Sequence, residues 1–241
     1  MRVYCATDVG SVRSVNEDSY YMPSDEQSFM AVADGMGGHQ AGEVASRMAI
    51  RVLSEILSKE KEPSEDRLRY AYNKANRDVY FESERDAAKR GMGTTMTTLW
   101  FSSDSVLMAH IGDSRAYRLR DKKITRASVD HSYVEELVRS GAITPEKALT
   151  HPQRNVITRC IGPWPRIETD IEKFDFRDGD VWLLCTDGLT RYVTDDEIEL
   201  TLNSDIAWNE KVGALMNAAI QRGGADNVTV LIATGESDVH G

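Results

Sequence analysis

Five short acidic motifs, spread along the whole chain, constrain the fold more than any other feature of the sequence. Most of them directly follow an apolar run typical of a buried strand, so each places a carboxylate at a strand end or in a tight turn. They are Asn16-Glu17-Asp18, Asp34-Gly35-Met36-Gly37-Gly38-His39, Gly112-Asp113-Ser114-Arg115, Thr186-Asp187-Gly188 and Gly224-Ala225-Asp226-Asn227.

A fold in which these strand ends meet would bring the carboxylates together. Clustered carboxylates repel one another unless hard cations neutralise them. Separate Asp side chains and a Gly carbonyl supply the octahedral oxygen shell that Mg²⁺ and Mn²⁺ prefer. The motifs therefore predict a site that holds more than one Mg²⁺ or Mn²⁺ ion.

Size and charge narrow the function classes. A chain of 241 residues is long enough to bury a full core, and we expect one domain over residues 1–241. The chain carries 29 Lys and Arg against 39 Asp and Glu, a formal charge of −10. Such an acidic protein is a poor candidate for binding nucleic acid or an anionic membrane through charge, so we expect neither partner.

The cysteines and the apolar segments indicate the compartment. Cys5, Cys160 and Cys185 form no C-x-x-C pair, which argues against a disulfide framework or a structural zinc site and favours a reducing cytoplasm. The first residues lack the apolar core of a signal peptide, and no segment approaches the ~18 apolar residues of a membrane span. We expect a cytoplasmic monomer.

Hydrophobic periodicity predicts an α+β fold. Apolar spacing indicates strands at 3–7, 28–33, 94–101, 105–110, 114–119, 123–125, 181–185 and 227–233, and helices at 41–58, after Pro63, and at 130–140, 194–202 and 208–222. Two long helices inserted between runs of strands favour two central antiparallel sheets with helices outside them, a four-layer αββα sandwich.

The joint set of motifs resembles the metal-dependent serine/threonine protein phosphatases of the PP2C (PPM) family, bacterial type. The resemblance covers almost the whole chain, in order and at the usual spacing. It is carried by Arg13-Ser14-Val15-Asn16-Glu17-Asp18, by Val32-Ala33 with the motif at 34–39, by Gly93-Thr94-Thr95, by Gly112-Asp113-Ser114-Arg115, by Thr186-Asp187-Gly188-Leu189 and by Asp226-Asn227-Val228-Thr229.

The resemblance implies hydrolysis of phosphoserine and phosphothreonine in proteins by a hydroxide that bridges two Mn²⁺ or Mg²⁺ ions. Asp34, the Gly35 carbonyl, Asp187 and Asp226 would hold the two core ions. Asp18 and Glu17 would lie close by, largely acting through water, and Asp113 would hold a weaker third ion together with Asp187.

The resemblance also assigns Arg13 to the substrate phosphate, a role that suits the paired donors and permanent charge of a guanidinium. The leaving alkoxide needs a proton, for which His39 and a metal-bound water are competing donors. Residues 140–165 resemble the family's flap, which borders the active site. The expected partners are phosphorylated proteins, among them a Hanks-type Ser/Thr kinase and its substrates.

Three other hypotheses are compatible with parts of the sequence. Cys160 to Arg166 satisfies C-x5-R, the pattern of cysteine phosphatases, but Pro163 and Pro165 remove backbone donors that such a loop needs. A sporulation-type regulatory phosphatase acting on an anti-sigma antagonist shares the acidic centre. A catalytically dead scaffold that binds phosphoproteins is the non-enzymatic alternative, although all the acidic positions are filled.

Overall fold

The computed structural model describes residues 1–23, 28–37 and 41–235. Its strands are β1 (Arg2–Asp8), β2 (Asp18–Tyr21), β3 (Phe29–Met36), β4 (Gly93–Thr94), β5 (Met96–Phe101), β6 (Ser105–Ile111), β7 (Arg115–Arg120), β8 (Lys123–Arg126), β9 (Asp170–Asp175), β10 (Val181–Cys185) and β11 (Val228–Thr234). Its α-helices are α1 (Ala41–Leu57), α2 (Glu65–Arg85), α3 (Tyr133–Arg139), α4 (Pro145–Leu149), α5 (Asp187–Thr190), α6 (Asp195–Leu202) and α7 (Trp208–Gln221).

The strands form two antiparallel sheets. The first has the order β1-β11-β10-β7-β8, and the second has the order β2-β3-β5-β6-β9, with β4 pairing with β3. The two sheets pack face to face through a shared apolar layer. That layer is formed by Met30, Val32, Leu99, Phe101, Val106 and Met108 of the second sheet and by Ala116, Trp182, Leu184, Leu231 and Ala233 of the first.

Helices cover the outer faces of both sheets. In β3, Phe29, Ala31 and Ala33 face the layer that α1 and α2 complete, while the intervening Met30 and Val32 face the other sheet. Helices α6 and α7 cover the first sheet, where Val230 and Ile232 of β11 point outward. Strands β10 and β11 are buried along their whole length and are largely apolar. The predicted four-layer α+β sandwich is confirmed.

Several boundaries follow from local chemistry. Helix α6 begins at a capping box in which Thr194 and Glu197 satisfy each other's backbone N–H groups. Asp121 and Lys122 both have positive φ, 52° and 62°, in the tight turn between β7 and β8.

Three parts of the fold differ from the sequence-based expectation. Strands β2 and β9 were not predicted. The helix expected at 130–140 begins only at Tyr133, because Ser132 caps it by accepting the N–H of Glu135. No helix was predicted within residues 140–165, yet this segment contains α4, which begins at a Thr144 cap and a proline.

No helix in the described ranges is long and apolar enough to cross a membrane.

Candidate metal centre

Strand pairing places the acidic motifs at one edge of the sandwich. In the second sheet Asp18 begins β2 directly opposite Asp34, near the end of β3. In the first sheet Cys185 at the end of β10 pairs with both Val230 and Arg115, so Asp187, Asp226 and Asp113 flank the same end. The antiparallel registers therefore bring together the five aspartates that the sequence separates by up to 208 positions.

Asp18 links the two sheets. The hydroxyls of Thr186 and Thr229, both in or beside the first sheet, donate to its Oδ2 at 2.9 and 2.7 Å. Its Oδ1 is buried and has no hydrogen-bond partner among the described residues. Burial, and then the charges of Asp187 and Asp226, raise the pKa of Asp18 to about 7, although the two threonine hydrogen bonds act in the opposite direction.

The backbone around Asp34 is fixed by hydroxyl groups. The N–H of Asp34 donates to Thr95 Oγ1 at 2.8 Å, and Thr94 Oγ1 donates to the carbonyl of Asp34 at 2.9 Å. Thr95 Oγ1 also shares a hydrogen bond of 2.8 Å with Ser114 Oγ, which is buried beside Asp113. These contacts hold the Asp34-Gly35 turn and the Gly112-Asp113 turn against each other.

Gly35 is required by a close approach of backbones. A Cβ at this position would lie 2.2 Å from the carbonyl oxygen of Gly42 and 2.6 Å from that of Glu17. Only glycine therefore allows the end of β3 to pack against the first turn of α1 and keeps the Gly35 carbonyl at the edge where the carboxylates converge.

Glu17 has a structural task that the sequence did not reveal. Its carboxylate accepts the backbone N–H groups of Gly42 and Glu43, so it caps the first turn of α1. Burial raises its pKa, which outweighs the favourable charge of Arg13 and these backbone contacts. Glu17 thus lies beside the centre and also anchors the helix that packs on Gly35.

Asp187 and Asp113 each keep one oxygen buried and unpaired. Asp187 begins α5, and its Oδ2 accepts the Nε–H of Arg191 at 2.9 Å. Asp187 Oδ1 and Asp113 Oδ1 have no hydrogen-bond partner in the described ranges. Burial raises the pKa of both carboxyls, and the negative charge of Asp226 on Asp187 and of Asp187 on Asp113 adds to it.

Asp226 is held by arginines. Its Oδ1 lies 3.0 Å from Arg13 Nε and accepts the N–H of Asn227, and its Oδ2 lies 3.2 Å from Arg13 Nη2 and 3.3 Å from Arg191 Nη1. Both oxygens of this carboxylate are therefore occupied by cationic or amide donors.

The carboxylates fit divalent cations. Three buried Asp oxygens, on Asp18, Asp113 and Asp187, lack hydrogen-bond partners among the residues that the structure describes. A buried, charged carboxylate oxygen without a partner is strongly unfavourable. Burial, followed by the charges of Asp18, Asp187, Asp113 and Asp226, raises the pKa of Asp34 well above its usual range. Within the described ranges no three Asp, Glu, His or Cys side chains form a ready-made metal-binding group. Asp187 and Asp226 contact arginines.

The remaining candidates are histidines and a cysteine. Of these, His39 lies outside the described residues. His131 is buried, accepts the N–H of Gly112 and contacts Asp170 at 3.0 Å, so its position is structural. Burial and the charge of Asp113 raise the pKa of the Cys160 thiol to about 11, which argues against a thiolate nucleophile in the C-x5-R segment.

Sequence reasoning missed four residues of this edge: Thr186, Thr229, Asn227 and Arg191. The first three stand in or beside the acidic motifs, so adjacency to those motifs was an available signal. Arg191 lies four residues after Asp187, which places it on the same face of a helical turn. Only the helical assignment of residues 187–190 would have revealed that pairing.

Known proteins resemble this chain closely. Residues 11–228 match the family model described as protein phosphatase 2C. The serine/threonine phosphatase Stp of Listeria monocytogenes is 38% identical over 233 residues, which cover 94% of this chain and 92% of that protein. The serine/threonine protein phosphatase PstP of Mycobacterium tuberculosis is 39% identical over 97% of this chain, which corresponds to 45% of PstP.

Solved structures show the same architecture. The crystal structure of the M. tuberculosis phosphatase PstP/Ppp has a TM-score of 0.91 at 39% identity and covers 98% of this chain and 99% of that one. A structure of the PstP catalytic domain in complex with two manganese ions has a TM-score of 0.86 at 37% identity, with 96% of each chain covered.

These likenesses define the class of the protein first: it is an enzyme, a serine/threonine protein phosphatase. Within that class, the chain belongs to the protein phosphatase 2C (PPM) family of bacterial, metal-dependent phosphatases.

Proposed function

We propose that Asp34, the Gly35 carbonyl, Asp187 and Asp226 hold two Mn²⁺ or Mg²⁺ ions, and that phosphoserine and phosphothreonine of proteins are hydrolysed at this edge. The observation that carries the proposal is the set of buried Asp oxygens at this edge that have no hydrogen-bond partner in the described part of the chain. When bound, two such ions lower the pKa of a water between them towards neutrality and so supply the nucleophile.

The residues of the chain have distinct tasks in this proposal. Asp18 is fixed by Thr186 and Thr229 and orients solvent beside the centre. Asp113 and Asp187 hold a weaker third ion. Arg13, whose side chain is 48% exposed, is free on its outer side to donate to the substrate phosphate while it contacts Asp226.

The proton for the leaving alkoxide comes from water held near Asp113 or from His39. For an alkyl phosphate this proton is essential, because an unprotonated serine alkoxide is a poor leaving group.

The proposal extends to partners and compartment. Phosphorylated proteins are the substrates, and a Hanks-type Ser/Thr kinase and its targets are the partners whose phosphorylation the enzyme reverses. Residues 1–241 act as one catalytic unit, supported by the apolar layer that both sheets share, with 140–165 as a flap beside the site. The three free cysteines are consistent with a cytoplasmic location.

Single-carboxylate variants test the metal assignment. We expect Asp34→Ala, Asp187→Ala and Asp226→Ala each to lower phosphate release from a phosphothreonine peptide by a factor of about 100 or more, since each removes a ligand from a shared centre. Tight Mn²⁺ binding, measured by equilibrium dialysis, should fall in parallel. The matched control is Asp205→Ala, which removes an exposed carboxylate of the same charge and should change neither quantity.

Near-normal release in any one of the three variants at saturating Mn²⁺ would remove that residue from the centre. If all three variants bound Mn²⁺ normally yet released no phosphate, the centre would lie elsewhere in the protein.

A further inference from the structure

Arg191 makes a contact with the acidic centre that the function proposed above does not use. Its Nε–H donates to Asp187 Oδ2 at 2.9 Å, and its Nη1 lies 3.3 Å from Asp226 Oδ2. The side chain is 32% exposed. Arg191 follows the single turn of α5, and its spacing of four residues from Asp187 places the guanidinium next to that carboxylate.

The charge of Arg191 also acts on Asp113. Its guanidinium lowers the pKa of the Asp113 carboxyl against the larger opposing effects of burial and of Asp187 and Asp130. Arg115, the other arginine that acts on Asp113, is committed to Asp130 through contacts of 2.8 to 3.2 Å. Arg191 therefore supplies a positive charge that offsets the carboxylates of Asp113 and Asp187.

The two oxygens of Asp187 are divided between different roles. Oδ2 faces Arg191, whereas Oδ1 is buried and has no partner among the described residues. A core ion on Oδ1 is thus compatible with Arg191 remaining on Oδ2. At Asp226, in contrast, both oxygens already accept hydrogen bonds from Arg13 or from the backbone.

We propose that Arg191 is a built-in counter-cation that keeps the third ion site, between Asp113 and Asp187, weak. This inference rests on the proposed two-ion centre. Five aspartates act on one another here: Asp18, Asp34, Asp113, Asp187 and Asp226. A third ion would have to compete with Arg191 for Asp187 Oδ2, and the positive charge of Arg191 opposes its binding.

Counting bound Mn²⁺ tests this role without reference to activity. Isothermal titration of the whole protein with Mn²⁺ should show that Arg191→Gln binds a third ion roughly tenfold or more tightly than the wild type, because a nearby positive charge is gone. Arg191→Lys retains the charge and should keep the third ion weak. Arg177→Gln, which removes an exposed arginine paired with Asp175, should bind Mn²⁺ like the wild type.

Two further results test the counter-cation role of Arg191. Adding Asp113→Asn to Arg191→Gln should abolish the gained affinity, because the third ion then loses a ligand. The counter-cation role is overturned if Arg191→Gln binds the third ion no more tightly than the wild type. It is also overturned if the gain in affinity survives Asp113→Asn. Failure of the two-ion centre itself is recognised separately, by undiminished tight binding of two ions in Asp34→Ala.

Discussion

At the scale of single residues, Arg13 and Arg191 both contact the carboxylate of Asp226 and offset its negative charge. Arg13 contacts both oxygens of that carboxylate from a loop between β1 and β2, and its side chain is the more exposed of the two. An arginine that is anchored on one side and open on the other presents its remaining donors in a fixed orientation. Such an arrangement suits recognition of a tetrahedral dianion.

Arg13→Ala should therefore weaken substrate binding. Loss of a charge-assisted contact of about 1.5–3 kcal/mol corresponds to a fall in kcat/KM of roughly 10- to 100-fold, most of it as a higher KM. Arg13→Lys should recover only part, since an ammonium does not make the paired contact. Steady-state kinetics on a phosphothreonine peptide measure both effects, and an unchanged KM in Arg13→Ala would place this residue outside the phosphate pocket.

The candidate site was predictable from sequence to the extent that its chemistry lies in the acidic motifs. Asp34, Asp187 and Asp226 follow or precede apolar strands, which indicated that they share an edge. The hydrogen bonds from Thr186 and Thr229 to Asp18 join residues 168 and 211 positions apart. They depend on how the two sheets stack, which no local pattern encodes.

At the scale of elements, Asn227 ties the start of β11 to the segment that carries Arg13. Its Oδ1 accepts the N–H of Glu17 at 2.8 Å, and its Nδ2 donates to the carbonyls of Val9 and Val15 at 2.9 and 3.0 Å. Asn227 is buried, with 4% of its surface exposed. One side-chain amide thus anchors the segment between β1 and β2 at three backbone positions.

Asn227→Ala should lower the free energy of unfolding by about 1–3 kcal/mol, because it leaves partly buried backbone groups without partners. The KM for phosphopeptide should also rise, since the segment that holds Arg13 loses its anchor. Urea denaturation and steady-state kinetics measure the two effects.

The control for this variant is Asn203→Ala. Asn203 also donates to two carbonyls, those of Lys122 and Glu199, but it does so at the end of α6, away from the acidic edge. The Asn203→Ala variant should leave KM unchanged. Equal changes of KM in the two variants would contradict the anchoring role of Asn227.

Strand prediction succeeded for the buried central strands and failed at the two edges of the second sheet. Strands β10 and β11 are buried along their whole length and stand out as apolar runs. Strand β2 (Asp-Ser-Tyr-Tyr) and strand β9 (Asp-Ile-Glu-Lys-Phe-Asp) lie at the two edges of the second sheet and are rich in polar residues. Edge strands carry such residues, which removes the apolar pattern that reveals a strand.

At the scale of the whole molecule, the acidic edge adds polar contacts to the apolar layer that the two sheets share. Asp18 of the second sheet binds Thr186 and Thr229 of the first, and Thr95 binds Ser114 across the same edge. Ligands for the two proposed ions come from both sheets, Asp34 from one and Asp187 and Asp226 from the other. Ion binding should therefore depend on the correct packing of the sandwich as a whole.

The central claim is that hydrolysis requires two ions held by these aspartates. The most direct measurement follows phosphate release from a phosphothreonine peptide while the Mn²⁺ bound per chain is counted in the same samples. We expect no release in EDTA, little with one ion bound, and a rate that rises with occupancy of the second site. Release that persists in EDTA, or that reaches its maximum before a second ion binds, would contradict a two-ion centre.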